Sequence, residues 1–202
     1  MEEREAAPLR LLIIIASTRP GRVGLPVGQW FSERAREHGG FEVSVADLAE
    51  LALPFMDEPN HPRLRRYEHQ HTKDWSARVE AADAFVFVTP EYNHSYNAAL
   101  KNAIDFLHNE WAYKPVGFAS YGGIAAGTRA LQALKPVVAA LRMTPVVEAG
   151  NIPFVGQFVD EDEVFRPNDV LDQAADAMLV ELSRVEAALR SLRAPLSSTT
   201  SA

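Results

Sequence analysis

The chain has 202 residues, of which 47% are hydrophobic and 23% charged, as expected for one globular domain with a full core. Its formal net charge of -7 argues against nucleic acid or an anionic membrane as a partner. It has no cysteine, which excludes disulfides, thiolate metal sites and thiol nucleophiles, so redox chemistry would need a bound cofactor. No metal site is predicted. The acidic N-terminus and short apolar runs predict a cytoplasmic protein.

Five segments predict β-strands. Four apolar runs are typical of strands covered on both faces. They lie at 11–16 (LLIIIA), 84–88 (AFVFV), 116–119 (VGFA) and 146–147 with its flanks. Apolar residues alternate with polar ones at 41–45, which predicts a less buried strand at an edge of the sheet. We predict one domain over residues 1–195 and a flexible tail over 196–202.

The segments between the strands predict helices. Apolar residues recur at helical spacing in 23–35, 75–82 and 100–107. A fourth stretch, 126–141, contains Pro136, which we expect to kink or split the helix. The last helix follows the candidate caps Asn168 and Asp169 and carries an apolar stripe as far as Leu192.

This alternation of strands and helices predicts an α/β fold, in which a doubly wound, five-stranded parallel sheet has helices on both faces. Ligands in such folds bind outside the carboxyl ends of the strands. Three loops should therefore converge there, namely 16–24, 89–97 and 120–127. The long irregular segment 54–71 follows the second strand and should lie beside the same edge.

The first loop contains the groups that phosphate binding requires. Ser17 and Thr18 offer hydroxyls, and Arg19 and Arg22 offer guanidinium groups. The following helix presents free N–H groups at its N-terminus, so this loop is a candidate phosphate site. The alternative is a polar turn with solvated arginines.

The third loop contains two consecutive glycines, Gly122 and Gly123. They either let a planar ligand lie close to the backbone or form a tight turn. No G-x-G-x-x-G follows the first strand, and the chain has no G-x-x-x-x-G-K-[ST] motif. A mononucleotide is therefore favoured over a dinucleotide or a triphosphate.

Four motifs occur together in a characteristic order: STRPGR at 17–22, PEYNHSYNAALKNAIDF at 90–106, EWAYKP at 110–115 and SYGG at 120–123. With them, the sequence from about residue 11 to 141 resembles the NADPH-dependent FMN reductases of the flavodoxin-like superfamily, a group that includes quinone, azo-dye and chromate reductases. The resemblance implies a flavodoxin-like strand order of 2-1-3-4-5. It also implies a bound FMN, with NADPH or NADH as the hydride donor.

The resemblance also implies roles for individual residues. The FMN phosphate would be held by Ser17, Thr18, Arg19 and Arg22. The isoalloxazine ring and ribityl chain would be wrapped by Pro90, Glu91, Tyr92 and Asn93, and the pyrimidine side closed by Ser120, Tyr121, Gly122 and Gly123. The sequence departs from the family pattern at Ala16, where glycine is common, and at Asn97, where proline is common. Asn97 should still serve as an N-cap.

The function implied by the resemblance is that of an FMN-dependent NAD(P)H oxidoreductase. Hydride would pass from the nicotinamide to flavin N5 and on to a small-molecule acceptor such as a quinone, azo compound or free flavin, with ping-pong kinetics. A homodimer or tetramer is implied as well. The alternatives are an FMN-binding electron carrier or redox sensor with little NADPH turnover, and a flavin-free relative.

Two further groups of residues each allow two interpretations. His94 is either a proton donor at the flavin edge or a positioning residue. The arginines Arg63, Arg65 and Arg66 either clamp the ribose phosphate of NADPH or form a solvated face.

Helical spacing pairs Lys101 with Asp105 as an exposed or interfacial ion pair. Trp111 and Tyr113 either cover the flavin of a neighbouring subunit or fill a local core.

Overall fold

The computed structural model describes residues 7–193, so the predicted tail over 196–202 lies outside the described residues. All five predicted strands are present. They form one parallel sheet in the order β2-β1-β3-β4-β5, which confirms the predicted order and places β2 at an edge. The strands are β1 (Leu9–Ile15), β2 (Phe41–Asp47), β3 (Ala84–Pro90), β4 (Pro115–Tyr121) and β5 (Thr144–Ile152).

Six α-helices are found within the described residues. They are α1 (Gly24–His38), α2 (Leu48–Leu51), α3 (Gln70–Ala81), α4 (Ala98–Asp105), α5 (Thr128–Ala140) and α6 (Asp169–Leu189). Short 3-10 turns occupy Pro62–Leu64, Asn109–Trp111, Val155–Phe158 and Arg190–Arg193. None of these helices is long and apolar enough to cross a membrane.

The core forms two layers because successive side chains of a strand point to opposite faces. On β1, Leu12 and Ile14 face the layer that α3, α4 and α5 cover, whereas Leu11 and Ile13 face α1 and α6. These strand residues are at most 1% exposed. Helices on both faces of the sheet are thus confirmed. Because both faces are covered, the strands need apolar side chains at successive positions, which explains their continuous apolar sequences.

Helix α5 runs unbroken from Thr128 to Ala140 with Pro136 inside it. Of the two expected outcomes, the split therefore does not occur, and the kink stays a prediction. Proline removes one backbone hydrogen bond and crowds the preceding turn. The buried side chains of Leu131, Leu134 and Val138 hold both halves against the sheet. Burial of these side chains offsets the lost bond.

Helix α6 begins as predicted at its cap. The side chain of Asn168 accepts a hydrogen bond of 3.0 Å from the N–H of Leu171, while Asp169 is the first helical residue. The stripe ends earlier than predicted, because α6 stops at Leu189 and Leu192 lies in the following 3-10 turn with 54% of its surface exposed.

Candidate functional site

The three predicted loops meet at the carboxyl edge of the sheet. The hydroxyl groups of Ser17 and Tyr92 lie 3.3 Å apart, which joins the first loop to the second. The N–H of Glu91 donates to the carbonyl of Tyr121 at 3.1 Å, which joins the second loop to the third. The predicted convergence is therefore confirmed.

The first loop presents unpaired donors to solvent. Thr18 and Arg19 are exposed, and within residues 7–193 neither side chain forms a hydrogen bond or ion pair. Helix α1 starts at Gly24, so the N–H groups of Gly24 and Leu25 have no intrahelical acceptor. Free hydroxyl, guanidinium and helix N-terminal N–H groups therefore lie along one short segment.

Arg22 has a different environment from Arg19. Its guanidinium binds both carboxylate oxygens of Asp47 at 2.5 Å and donates to the carbonyl of Ser17 at 2.8 Å. The hydrogen bond to Asp47 raises the pKa of Arg22, although burial opposes this. Asp47 lies at the end of β2, so Arg22 faces the interior of the loop. The phosphate contact implied for Arg22 stays a prediction.

The second loop is a tight hairpin. Pro90 is the last residue of β3, as expected, and Tyr92 and Ser95 exchange backbone hydrogen bonds of 2.8 and 3.0 Å. Between them, Asn93 and His94 have φ values of 50° and 68°. Two central residues with positive φ define a type I′ turn, which usually contains glycine. Such backbone strain often marks a functional site.

An arginine that the sequence analysis missed fixes this hairpin. Arg129 donates through Nε to the Glu91 carboxylate at 2.5 Å, and its Nη1 lies 3.0 Å from Nε2 of His94. Burial works to raise the pKa of Glu91, but the bonds from Arg129 outweigh it and lower the pKa. Because arginine only donates, a hydrogen bond in this contact requires Nε2 of His94 as the acceptor. This geometry favours the positioning interpretation of His94.

Two side chains of the third loop point into the protein. Ser120 Oγ donates to the carbonyl of Ala126 at 2.8 Å. Tyr121 is 4% exposed, and its hydroxyl lies beside Gly24 without a hydrogen-bond partner among the described residues. Burial raises the pKa of Tyr121. Their roles beside the pyrimidine ring stay predictions.

The glycines of the third loop have separate roles. The carbonyls of Gly122 and Gly123 accept from Val155 and Phe154 at 3.2 Å, and Gly123 is exposed with open space around it. The tight turn needs Gly127 instead, whose φ is +80°. A Cβ at that position would lie 2.7 Å from the Cβ of Ser120. The open surface at Gly123 is compatible with a flat ligand.

Asn97 does not cap α4, contrary to expectation. It occupies the N-cap position, but its side chain makes no capping bond and instead donates to the carbonyl of Ala16 at 2.6 Å. Ala16 directly follows β1, and its N–H donates to the carbonyl of Val88. The two departures from the family pattern are thus in direct contact. The Asn97 Oδ1 is buried with no partner in the described residues.

A hollow of about 490 Å³ adjoins the first loop. Thr18 and Asn102 contribute its polar side chains. Asn102 also binds the backbone of Pro54 and Met56 at 2.7 and 3.0 Å, which fixes the wall that carries the exposed Phe55. The other lining residues are apolar: Leu48, Ala49, Ala52, Leu53, Pro54, Phe55, Ala98 and Ala99.

The segment 54–71 begins at this hollow and then runs away from it. Arg65 lies 3.0 Å from Glu80 and 3.4 Å from Glu110, both of which precede strands at the amino end of the sheet. Arg63 lies 3.5 Å from His108 in the same region. This placement favours a structural role over an NADPH clamp.

The remaining predicted features are structural. Lys101 and Asp105 form an exposed ion pair of 2.6 Å, as expected. Trp111 is fully buried against Phe85, at 5.0 Å between ring centroids, so it fills a local core and does not cover a neighbouring flavin. Tyr113 stacks with Arg142 ahead of β4, at the end of the sheet opposite the loops.

Four residues at the rim were not predicted from the sequence: Asp47, Arg129, Gly24 and Gly127. A signal existed for Asp47, because it directly follows an alternating strand, where parallel sheets place functional side chains. Arg129 follows a glycine-rich loop at a helix start, which is also a recognisable position. No sequence pattern shows that Gly24 contacts Tyr121, since that contact depends on two distant segments.

The residues present fit a flavin mononucleotide. A phosphate needs hydroxyl, guanidinium and N–H donors, which Thr18, Arg19 and the start of α1 supply. Ser17 is buried, with its hydroxyl beside that of Tyr92, so its phosphate contact stays a prediction. A flat ring needs open backbone, which Gly123 offers. The fold and this rim define an α/β protein with candidate mononucleotide-binding groups at the carboxyl end of a doubly wound sheet.

Comparison with known proteins places the chain in a family. The family model for NADPH-dependent FMN reductases matches residues 9–156. An NAD(P)H-dependent FMN reductase from Schizosaccharomyces pombe is 38% identical over 148 residues, which cover 71% of this chain and 74% of that protein. An FMN-dependent NADPH-azoreductase from Staphylococcus saprophyticus is 30% identical, over 64% of this chain and 69% of that protein.

The chain therefore belongs to the NADPH-dependent FMN reductase family, and it is an oxidoreductase with FMN as cofactor and a nicotinamide nucleotide as donor. Its fold is that of a flavoenzyme, the NAD(P)H:(acceptor) oxidoreductase of Paracoccus denitrificans. The TM-score with that structure is 0.71 at 21% identity, covering 87% of this chain and 98% of that one. The flavodoxin-like fold is confirmed.

Proposed function

We propose that the chain holds FMN across the three loops and uses it to pass electrons from NAD(P)H to a small-molecule acceptor with ping-pong kinetics. The observation that carries this proposal is the contact of all three loops at one rim, through Ser17, Tyr92 and Glu91, next to unpaired donors. When bound, FMN would supply the hydride chemistry. The chain supplies binding, orientation and electrostatics.

The first loop would hold the phosphate. Thr18 and Arg19 donate outward, and the N-terminus of α1 adds a positive dipole end. Arg19 is the guanidinium of this loop that has no carboxylate partner among residues 7–193. It is therefore the side chain on which the phosphate contact should depend most.

The hairpin 90–95 and the backbone at Gly123 would orient the rings. The N–H groups of Asn93, His94 and Gly123 have no acceptor among the described residues and lie in exposed turns. Donors fixed in position favour negative charge that develops nearby. Arg129 is paired with the Glu91 carboxylate, so it fixes the hairpin in position rather than adding net positive charge at the rim.

The hollow beside Thr18 would admit the nicotinamide and the acceptor in turn. Its volume is within the range of small-molecule sites, and its walls carry no charged side chain. An uncharged ring compound such as a quinone fits walls of this kind better than a highly charged acceptor does. A homodimer or tetramer and a cytoplasmic location are further expectations, which light scattering and fractionation would check.

The central experiment is rapid mixing of the FMN-loaded protein with NADPH and with NADH, without oxygen. The flavin absorbance should bleach within the turnover time, and initial rates against both substrates should give parallel double-reciprocal lines. Slow bleaching would identify an electron carrier instead. A protein that takes up no FMN would contradict the whole proposal.

The phosphate site has its own test. Arg19→Ala should weaken FMN binding roughly tenfold to a hundredfold, because one charge-assisted hydrogen bond is lost. Fluorescence titration of the apoprotein measures this affinity. Arg184→Ala is the matched control, since Arg184 is an exposed arginine on α6, and its affinity should not change.

A further inference from the structure

We propose that Asp47 is a positioning residue for the phosphate loop, and that Arg22 is the strut between Asp47 and Ser17 rather than a ligand of the phosphate. This inference rests on the proposed function, in which the first loop holds the phosphate. Asp47 lies at the end of β2, outside all three loops.

The guanidinium of Arg22 is largely occupied. One terminal nitrogen, Nη1, contacts both the carbonyl of Ser17 and Oδ1 of Asp47, and Nη2 contacts Oδ2. Both hydrogens of Nη1 are therefore used. The side chains of Arg22 and Asp47 are only 15% and 5% exposed. A phosphate could reach Arg22 only by competing with a buried carboxylate.

Charge leads to the same conclusion. The Asp47 carboxylate neutralises Arg22 at contact distance, so the pair offers little net attraction to an anion. If the phosphate displaced Asp47, a buried carboxylate would lose its partner and lie near a second anion, which is unfavourable. Arg19 has no such neighbour among the described residues.

The position of Ser17 depends on contacts from several elements. Asn97 of the second loop donates to the Ala16 carbonyl at 2.6 Å, and Ala16 N–H donates to Val88 of β3 at 2.9 Å. Tyr92 holds the hydroxyl of Ser17 from the second loop. The contact through Arg22 is the one that ties Ser17 to β2, and Asp47 is itself fixed by the N–H of Ala49 at 2.9 Å.

A loop held this way is ordered before the ligand arrives, which lowers the entropic cost of binding. The two roles for Arg22 predict opposite signs for Asp47→Asn. If Arg22 is a strut, the substitution loosens Ser17 and weakens FMN. If Arg22 binds the phosphate, removing the nearby negative charge frees the guanidinium and tightens FMN.

The experiment uses apoprotein and FMN titrations on Asp47→Asn, Arg22→Lys, Arg19→Ala and wild type. Asp47→Asn should weaken FMN about tenfold, equivalent to losing one hydrogen bond to a charged group. Without FMN, amide exchange in residues 16–23 should be about tenfold faster, equivalent to the same loss in local opening free energy. Arg22→Lys keeps the charge but loses the fork, so it should also loosen the loop.

Asp83→Asn is the matched control. Asp83 is likewise held by an arginine fork, from Arg10 at 3.0 Å, but at the amino end of the sheet. Its substitution should leave FMN affinity unchanged. If Asp47→Asn does not fold, the amide exchange of residues 16–23 in Arg22→Lys without FMN decides between the two roles of Arg22. Faster exchange would support the strut. Unchanged exchange would indicate that Arg22 acts only as a ligand of the phosphate.

Two outcomes would overturn the inference. If Asp47→Asn binds FMN as tightly as wild type or more tightly while Arg19→Ala weakens binding, Arg22 is not a strut, but the phosphate site stands. If Arg19→Ala has no effect, the phosphate lies elsewhere. In that case the proposed function of this loop fails, and the inference fails with it.

Discussion

The two ends of the sheet differ in whether their charged groups are all paired. At the amino end, Asp83 binds Arg10, and Glu186 binds both Arg190 and Arg193. The carboxyl end also has paired groups, because Asp47 binds Arg22 and Glu91 binds Arg129, but Arg19 there has no acidic partner within residues 7–193. Paired groups suit stability, whereas a donor that is left available suits ligand binding.

This comparison predicts that substitutions at the two ends affect different properties. Changes at the amino end should lower stability and spare FMN affinity. Changes at the carboxyl end should affect FMN affinity, with or without a loss of stability.

The largest expected effect is that of Gly127→Ala at the carboxyl end. Its φ of +80° is unfavourable for alanine, and the new Cβ would lie 2.8 Å from the N of Tyr121. The two penalties should together cost about 3 kcal/mol of unfolding free energy, and the displaced third loop should weaken FMN. Denaturant melts and FMN titrations measure both.

Gly156→Ala is the control for Gly127→Ala. Apart from its chain neighbours, no residue places an atom within 4 Å of a Cβ at Gly156, so this change should be neutral or stabilise by up to about 1 kcal/mol. Equal losses of unfolding free energy in the two variants would show that the positive φ and close contacts of Gly127 are not needed for the third loop.

The second effect concerns Lys114 at the amino end and depends on pH. Its ammonium donates to the carbonyls of Val79 and Glu80 at 2.9 and 3.1 Å, and burial lowers its pKa from 10.5 to about 8. The unfolded chain then binds more protons between these values, so stability should rise with pH across that window.

Comparison with Lys114→Met isolates this effect. As the pH rises from 8 to 10.5, the free energy of unfolding of wild type should increase by up to about 3 kcal/mol relative to that of the variant. Denaturant melts at several pH values measure the gain, with Lys73→Met as an exposed control. A constant difference across the window would show that the buried ammonium titrates normally.

The third effect is that of Glu186→Gln. The carboxylate is 1% exposed and binds Arg190 at 2.7 Å. Burial works to raise its pKa, but the two arginines lower it overall. Losing these charged hydrogen bonds should cost about 2 kcal/mol at neutral pH, while FMN affinity should not change.

The pH dependence of this loss has a definite sign. Because the pKa of Glu186 is lower in the folded state than in the unfolded chain, its carboxylate stabilises the fold fully above the unfolded pKa of about 4.3. This stabilisation is lost as the pH falls through the folded pKa. The difference between wild type and Glu186→Gln should therefore shrink in acid. Melts at pH 7 and in acid test this, and a weaker affinity for FMN would show that the two ends are coupled.

The smallest effect is that of Lys101→Ala. The pair with Asp105 is exposed on both sides, at 41% and 43%, so its removal should change stability by less than about 0.5 kcal/mol. Asp105→Ala should behave alike. A much larger loss measured in solution would indicate that the pair is buried in an assembly.

The fold was predictable because its signals are local. Apolar runs such as 84–88 contain the information that a strand is covered on both faces, and Asn168 sits where a helix cap is needed. Alternation of strands and helices then leaves few topologies open. The convergence of three loops followed from the parallel sheet alone.

The candidate site was only partly predictable. The sequence analysis identified the segments at the rim, but it treated Arg19 and Arg22 alike and assigned a capping role to Asn97. The structure shows that Arg22 binds Asp47 and that Asn97 binds the Ala16 carbonyl. It also shows that Gly127, not Gly122 or Gly123, adopts positive φ.

By itself, the sequence determined the strands and the segments that meet at the carboxyl edge, since periodicity and loop position are properties of short stretches of chain. The order of the strands was implied only by the family resemblance. Only the tertiary structure decided which of two similar arginines is paired and which has no carboxylate partner among residues 7–193. The reason is distance along the chain. Asp47 lies 25 residues from Arg22, and only the parallel pairing of β1 with β2 brings its carboxylate to the loop.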